Sequence, residues 1–94
     1  MENWQAYCDT KEQQLSVLEG QVGILTERMP QATSETKARV EQLVARWKED
    51  SVGVRRRLTE IRQAENGERE SLRAGADQAL VELTAVVESA TAAF

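Results

Sequence analysis

LTEIRQAENGERESL, residues 58–72, is the stretch in which the architecture is decided. Upstream of it a seam recurs at steps of three and four: Val40, Val44, Trp47, Ser51, Val54, Leu58, Ile61. Extending that seam lands on Glu65 and Glu68, two carboxylates where a continuing helix pair needs apolar side chains. Downstream the seam resumes as Leu72, Ala76, Ala79, Leu83, Val86, Ala90. Leu58, Leu72 and Val86 keep phase, but the other column slips by one residue, which a straight rod would have to absorb. Asn66-Gly67 lies at the slip, and both residue types tolerate the left-handed geometry that ends helices. The reading is a chain reversal at Asn66-Gly67. The alternative is a helical hairpin in which the second and third helices are fused into one long helix that must oligomerise.

The N-terminal part carries the same signal. Trp4, Cys8, Lys11, Leu15, Leu18, Val22, Leu25 and Met29 follow a 4-3-4-3-4-3-4 spacing, one side chain per turn on one helical edge. Pro30 interrupts the series. It cannot continue a helix and biases Met29 toward extended geometry. Thr33 or Ser34 then offers a side-chain oxygen to the open amides of the next helix, with Glu35 well placed in its first turn. The expected fold is all-α, a single domain over residues 1–94, with helices at about 3–29, 34–65 and 68–92 arranged as an antiparallel up-down-up three-helix bundle of coiled-coil type. Each helix would be roughly 38 to 48 Å long at 1.5 Å per residue.

Charge and register agree with two reversals. Residues 1–30 carry two basic and five acidic groups, residues 31–65 eight and six, and residues 66–94 two and five. A basic helix between two acidic ones suits antiparallel neighbours, and it selects orientation more than it supplies stability. With the first reversal near Gln31 and Ala32, Trp47 faces Leu15 and Leu18, Val54 faces Cys8, and Leu58 faces Trp4. With the second at Asn66-Gly67, Trp47 faces Val86, Val54 faces Ala79, and Ile61 faces Leu72.

Composition narrows the function classes. Ninety-four residues with four aromatics and 40% hydrophobic content suit a small helical core. The chain has no histidine, so the commonest general base and metal ligand are missing. The one cysteine, Cys8, sits on the apolar seam and reads as a buried thiol of a reducing compartment. The five glycines are scattered and form no phosphate loop. No enzyme activity, metal or cofactor is expected. The N-terminus MENWQAYCDTKEQQ has no apolar run, so no signal peptide is expected, and the expected location is cytoplasmic.

Three groups of residues stand out. Trp4 and Trp47 fall on the seams, while Val17, Ile24, Leu80, Val81 and Val87 widen the apolar faces of the outer helices; together they are candidate interface residues, or members of a broad three-helix core. Arg55, Arg56, Arg57 and Arg62 form a candidate basic face whose plainer reading is a solvated face pairing with acids of the first helix or of a second subunit. Lys11 and Ser51 occupy seam positions placed opposite each other, a candidate polar layer that sets register; the plainer reading has Lys11 reaching water or a carboxylate such as Asp50. The function expected is a helical interaction or scaffolding module that associates with itself or with another helical protein, a homo-oligomer being the expected form. A second reading is reversible binding to lipid surfaces by opened amphipathic helices. A third is nucleic-acid binding through the arginines, disfavoured by the net charge of −4 and the absence of interleaved aromatics. Neither membrane nor nucleic acid is expected as the main partner.

Overall fold

The computed structural model describes residues 3–94. Three helices account for nearly all of it: α1, Trp4–Arg28; α2, Ser34–Gln63; and α3, Asn66–Ala92, with a short 3-10 turn, Met29–Gln31, after α1. They form an up-down-up bundle about 50 Å long and 17 Å across. Local chemistry fixes two of the starts. The Asn3 side chain accepts the Ala6 N–H at 3.1 Å and opens α1, and Thr33 Oγ1 accepts the Thr36 N–H at 3.2 Å and opens α2.

The first reversal differs from the sequence expectation. Met29 is helical rather than extended, with φ −56° and ψ −40°. Its N–H bonds the Thr26 carbonyl, so the chain tightens into the 3-10 turn, in which Pro30 takes a first-turn position where an N–H is not needed. Helical geometry therefore persists to Gln31, and the reversal moves to Ala32 and Thr33, both extended. The register follows. The Cys8 thiol lies 3.8 Å from the Leu58 carbonyl, so α2 stands about one turn further along α1 than the pairing of Cys8 with Val54 required.

The second reversal is real, but Asn66-Gly67 does not make it. Ala64 (φ −80°, ψ 159°) and Glu65 (φ −77°, ψ 159°) are both extended, and Asn66-Gly67 opens α3. No positive φ occurs among the described residues. The Glu65 carbonyl accepts the N–H groups of Glu68 and Arg69, both at 3.0 Å. In place of a left-handed cap, the Arg69 guanidinium returns from α3 to the end of α2: Nε donates to the Ile61 carbonyl at 2.8 Å and Nη2 to the Arg62 carbonyl at 3.2 Å. Those carbonyls have no partner within α2, and a cation is favoured at a helix C-terminus.

The core runs the length of the bundle. Cys8, Leu15, Leu18 and Val22 of α1, Trp47, Val54, Leu58 and Ile61 of α2, and Ala76, Leu80, Leu83, Val86 and Val87 of α3 form one buried cluster. Leu25, Val40 and Ala90 close the end near the first reversal. The Trp47 indole is buried, and its N–H finds no acceptor. The α2–α3 pairing is the most extensive of the three and the α1–α3 pairing the least.

The second reversal makes two predictions. A Cβ at Gly67 would meet nothing within 4 Å and the backbone there is helical, so Gly67→Ala stabilises the fold by about 0.4–1 kcal/mol. A left-handed Gly67 would give the opposite sign, and the denaturation midpoint decides between them. Arg69→Met keeps the stem but removes the donors, and costs about 1.5–3 kcal/mol in the same measurement.

Candidate interaction surface

The residues singled out in the sequence separate into a buried set and an exposed set. Trp47, Leu80 and Val87 are interior residues of the bundle itself. Trp4 is half-buried and meets Tyr7 edge-on, with ring centroids 5.7 Å apart. Val17, Ile24 and Val81 face outward, 61%, 52% and 64% exposed. The alternation of apolar residues could not separate these sets, because a helix with two neighbours buries a stripe wider than one seam.

The arginines are distributed around α2. Arg62 donates through Nη1 to Glu12 at 2.7 Å and through Nη2 to Asp9 at 3.2 Å. That bond holds the Glu12 carboxyl below its ordinary range and the Arg62 guanidinium above its own. Arg55 pairs with Glu19 at 3.6 Å. Arg57 lies beside Gly53 and Gly75: a Cβ at Gly53 would sit 3.2 Å from its Nη1, and one at Gly75 would sit 3.9 Å from its Nε. Arg56 is exposed. Consecutive helical residues point in different directions, so the triplet makes no flat patch.

Lys11 and Ser51 are not brought together. The buried Ser51 hydroxyl donates to the Lys48 carbonyl of its own helix at 3.1 Å. Lys11 turns to α3, where its Nζ is 3.5 Å from Asp77 Oδ1. Asp77 is the centre of a cluster that the sequence reading missed. It accepts the Tyr7 hydroxyl at 2.6 Å and pairs with Arg73 at 3.7 Å. Lys11 Nζ and Arg73 Cζ lie 5.4 and 5.5 Å from the Tyr7 ring centroid. The helical spacings Tyr7 to Lys11 and Arg73 to Asp77 were visible beforehand. That the two pairs meet across α1 and α3 was not. The cluster holds one end of α1 against α3, and its lysine, tyrosine, carboxylate and arginine are all engaged with one another.

Beyond the cluster an open groove runs between the two helices. Its central section, about 620 Å³, is lined by Gln14, Val17 and Gln21 of α1 and by Thr84 and Glu88 of α3, with the buried Leu18 among its walls. An adjoining section shares Gln21 and Glu88 and adds Ile24 and Ala92, and another shares Gln14 and Thr84 and adds Val81. The central section carries one charge, Glu88, and the adjoining ones add Arg28, Lys11 and Asp77; elsewhere on α1, Asp9, Glu12 and Glu19 are paired with α2, and Lys11 is paired with Asp77. Among the described residues no group of three or more His, Cys, Asp or Glu side chains could hold a metal ion, and no helix is long and apolar enough to cross a membrane. Cys8 is fully buried, and burial pushes its thiol pKa up, away from a reactive thiolate.

Tyr7 is the chain's one tyrosine, so its titration can be read without interference from another. Burial first, then the hydrogen bond to Asp77, raises its pKa above the ordinary value. A raised phenol favours the folded state below its unfolded pKa of about 10, and that contribution is lost as pH rises beyond it. Tyrosinate absorbance of the native chain therefore appears only above that pH, and Asp77→Asn brings the midpoint down. An unchanged midpoint would place the cause in burial alone.

No protein-family model matches the chain, and no curated protein or solved structure resembles it significantly.

Proposed function

We propose that the chain is a non-enzymatic interaction module, a helical scaffold element that acts by receiving a helix on the groove between α1 and α3. One observation carries this reading: Val17, Ile24 and Val81 stand exposed on the two helices that pack least against each other, along a groove whose other walls are Leu18 and mostly uncharged polar side chains. A docked helix would cover both edges at once, which is how amphipathic helices are recognised in grooves. Full burial of an aliphatic side chain contributes about 1.5–3 kcal/mol, so three partly covered ones suit a reversible association.

The other readings ask more of this arrangement. Lipid binding by opened helices would break the core and present α1 and α3, both predominantly acidic, to the headgroups. Nucleic-acid binding would need Arg55 and Arg62, which are already engaged by Glu19, Asp9 and Glu12. A cytoplasmic setting fits the buried, unpaired thiol of Cys8.

A photo-crosslinking side chain at position 17 tests the proposal, with one at the exposed position 45 of α2 as control. In cells the position-17 probe is expected to give discrete protein adducts and the control none. Adducts to lipid, or none from either position, would remove the reading.

A further inference from the structure

Resting on that reading, we infer that the groove's occupant is a second copy of this chain, with the two α1 helices antiparallel and a two-fold axis passing near Gly20 and Gln21. The argument begins with charge. Between Thr10 and Ile24 the exposed positions of α1 on the groove side are Thr10, Gln13, Gln14, Val17, Gln21 and Ile24, none of them charged, while the exposed Glu12 and Glu19 lie on the side turned to the arginines of α2. An amphipathic helix from another protein ordinarily brings charged flanks, and these need counter-charges at the rim of a groove. Here the central section offers one, Glu88, and the adjoining sections add Arg28 and the Lys11–Asp77 pair, whose two charges already meet each other. A helix whose own outer face is glutamine, threonine and aliphatic matches that rim without leaving charges unpaired, and α1 is such a helix.

Orientation follows from what each arrangement brings together. In a parallel pair every residue meets its own copy, so Glu27 would face Glu27 and Arg28 would face Arg28. In the antiparallel pair Val17 lies opposite Ile24 of the partner subunit, Gln14 opposite Glu27, and Gln13 opposite Arg28. Apolar then meets apolar and no like charges face each other. The antiparallel arrangement also sets the two helix dipoles head to tail. Close to the axis Gly20 and Gly23 carry no side chain, and a Cβ on either would meet nothing within 4 Å, so the second helix can approach closely there. The contact is isologous: one patch serves both subunits, and the pair closes on itself.

Light scattering on the eluting chain is expected to show a mass rising with concentration from 10.5 kDa to twice that value. Val17→Glu with Ile24→Glu, at positions exposed in the single chain, keeps the helical signal and returns the mass to one chain. Orientation is read from oxidation of two single variants, Val17→Cys and Ile24→Cys. Mixed, they form an interchain disulfide several-fold faster than either alone. The parent chain is the control, because Cys8 is buried. One chain mass at every concentration, or a dimer untouched by the double substitution, overturns the inference. Equal crosslinking by each variant alone overturns the antiparallel arrangement. If the chain is monomeric while the position-17 probe still captures another protein, only this inference fails and the docking groove stands.

Discussion

The bundle depends on how the last carbonyls of α2 are satisfied. A helix end leaves its final carbonyl groups without partners, and continuing the helix is the simplest way to supply them. At this end continuation would place Glu65 and Glu68 on the seam, so the alternative must be chemical. Arg69 provides it by reaching back from the first turn of α3 to the carbonyls of Ile61 and Arg62. The same guanidinium that ends α2 thereby fixes where α3 begins, and Ala64 and Glu65 need only be extended to complete the reversal. Once the chain turns there, the one-residue slip between the second and third seams has no consequence, because the two no longer belong to one helix.

Charge then determines which sides of the helices meet. Arg62 engages two acids of α1 and Arg55 a third, all on one side of that helix. Each of these exposed pairs contributes at most about 1 kcal/mol, so they do not hold the bundle together. Their effect is orientational, because a register slip of one turn would separate every pair at once. Asp77 does the equivalent work between α1 and α3 with a short bond to Tyr7 and two flanking cations. That bond is partly shielded from water, and it places a bulky ring and a lysine between the two helices where an aliphatic pair would have packed closer.

The parts of this structure that were legible in the sequence are those governed by short-range periodicity. The seams named nearly all the buried residues, Thr33 announced the start of α2, and the disturbance after Ile61 announced a reversal. The parts that were not legible depend on a partner distant along the chain. Asn66-Gly67 has the composition of a left-handed stop, yet the stop is made by Arg69, whose role depends on the reversal already being formed. Pro30 reads as a helix breaker, yet in a 3-10 turn its missing N–H has no cost, and the register moved with it. Leu80 and Val87 lie on a second 4-3-4-3 series with Ala76, Leu83 and Ala90, and Val81 stands about 100° to one side of it. Only the position of α1 decides that Leu80 and Val87 are buried and Val81 is not. Lys11 was read against α2 because a seam lysine has no preferred side until the third helix is placed.

The open groove follows from these same choices. Three parallel or antiparallel rods of similar length pack around a common axis only if each gives a comparable width of apolar surface to both neighbours. Here α3 buries small and large residues in turn, and Ala76 and Ala90 allow close neighbours. Toward α3, by contrast, α1 directs Tyr7 and Lys11 at one end and glutamines along the rest. Those glutamines are poor core residues, and they are also uncharged in a chain that is 30% charged. A face built only for water would carry the arginines and glutamates that abound elsewhere on the molecule. The groove instead sets Val17 and Ile24 among glutamines and threonine, with Glu88 the one charge of its central section, so it is polar enough to stand in water while carrying few ions that burial would strand.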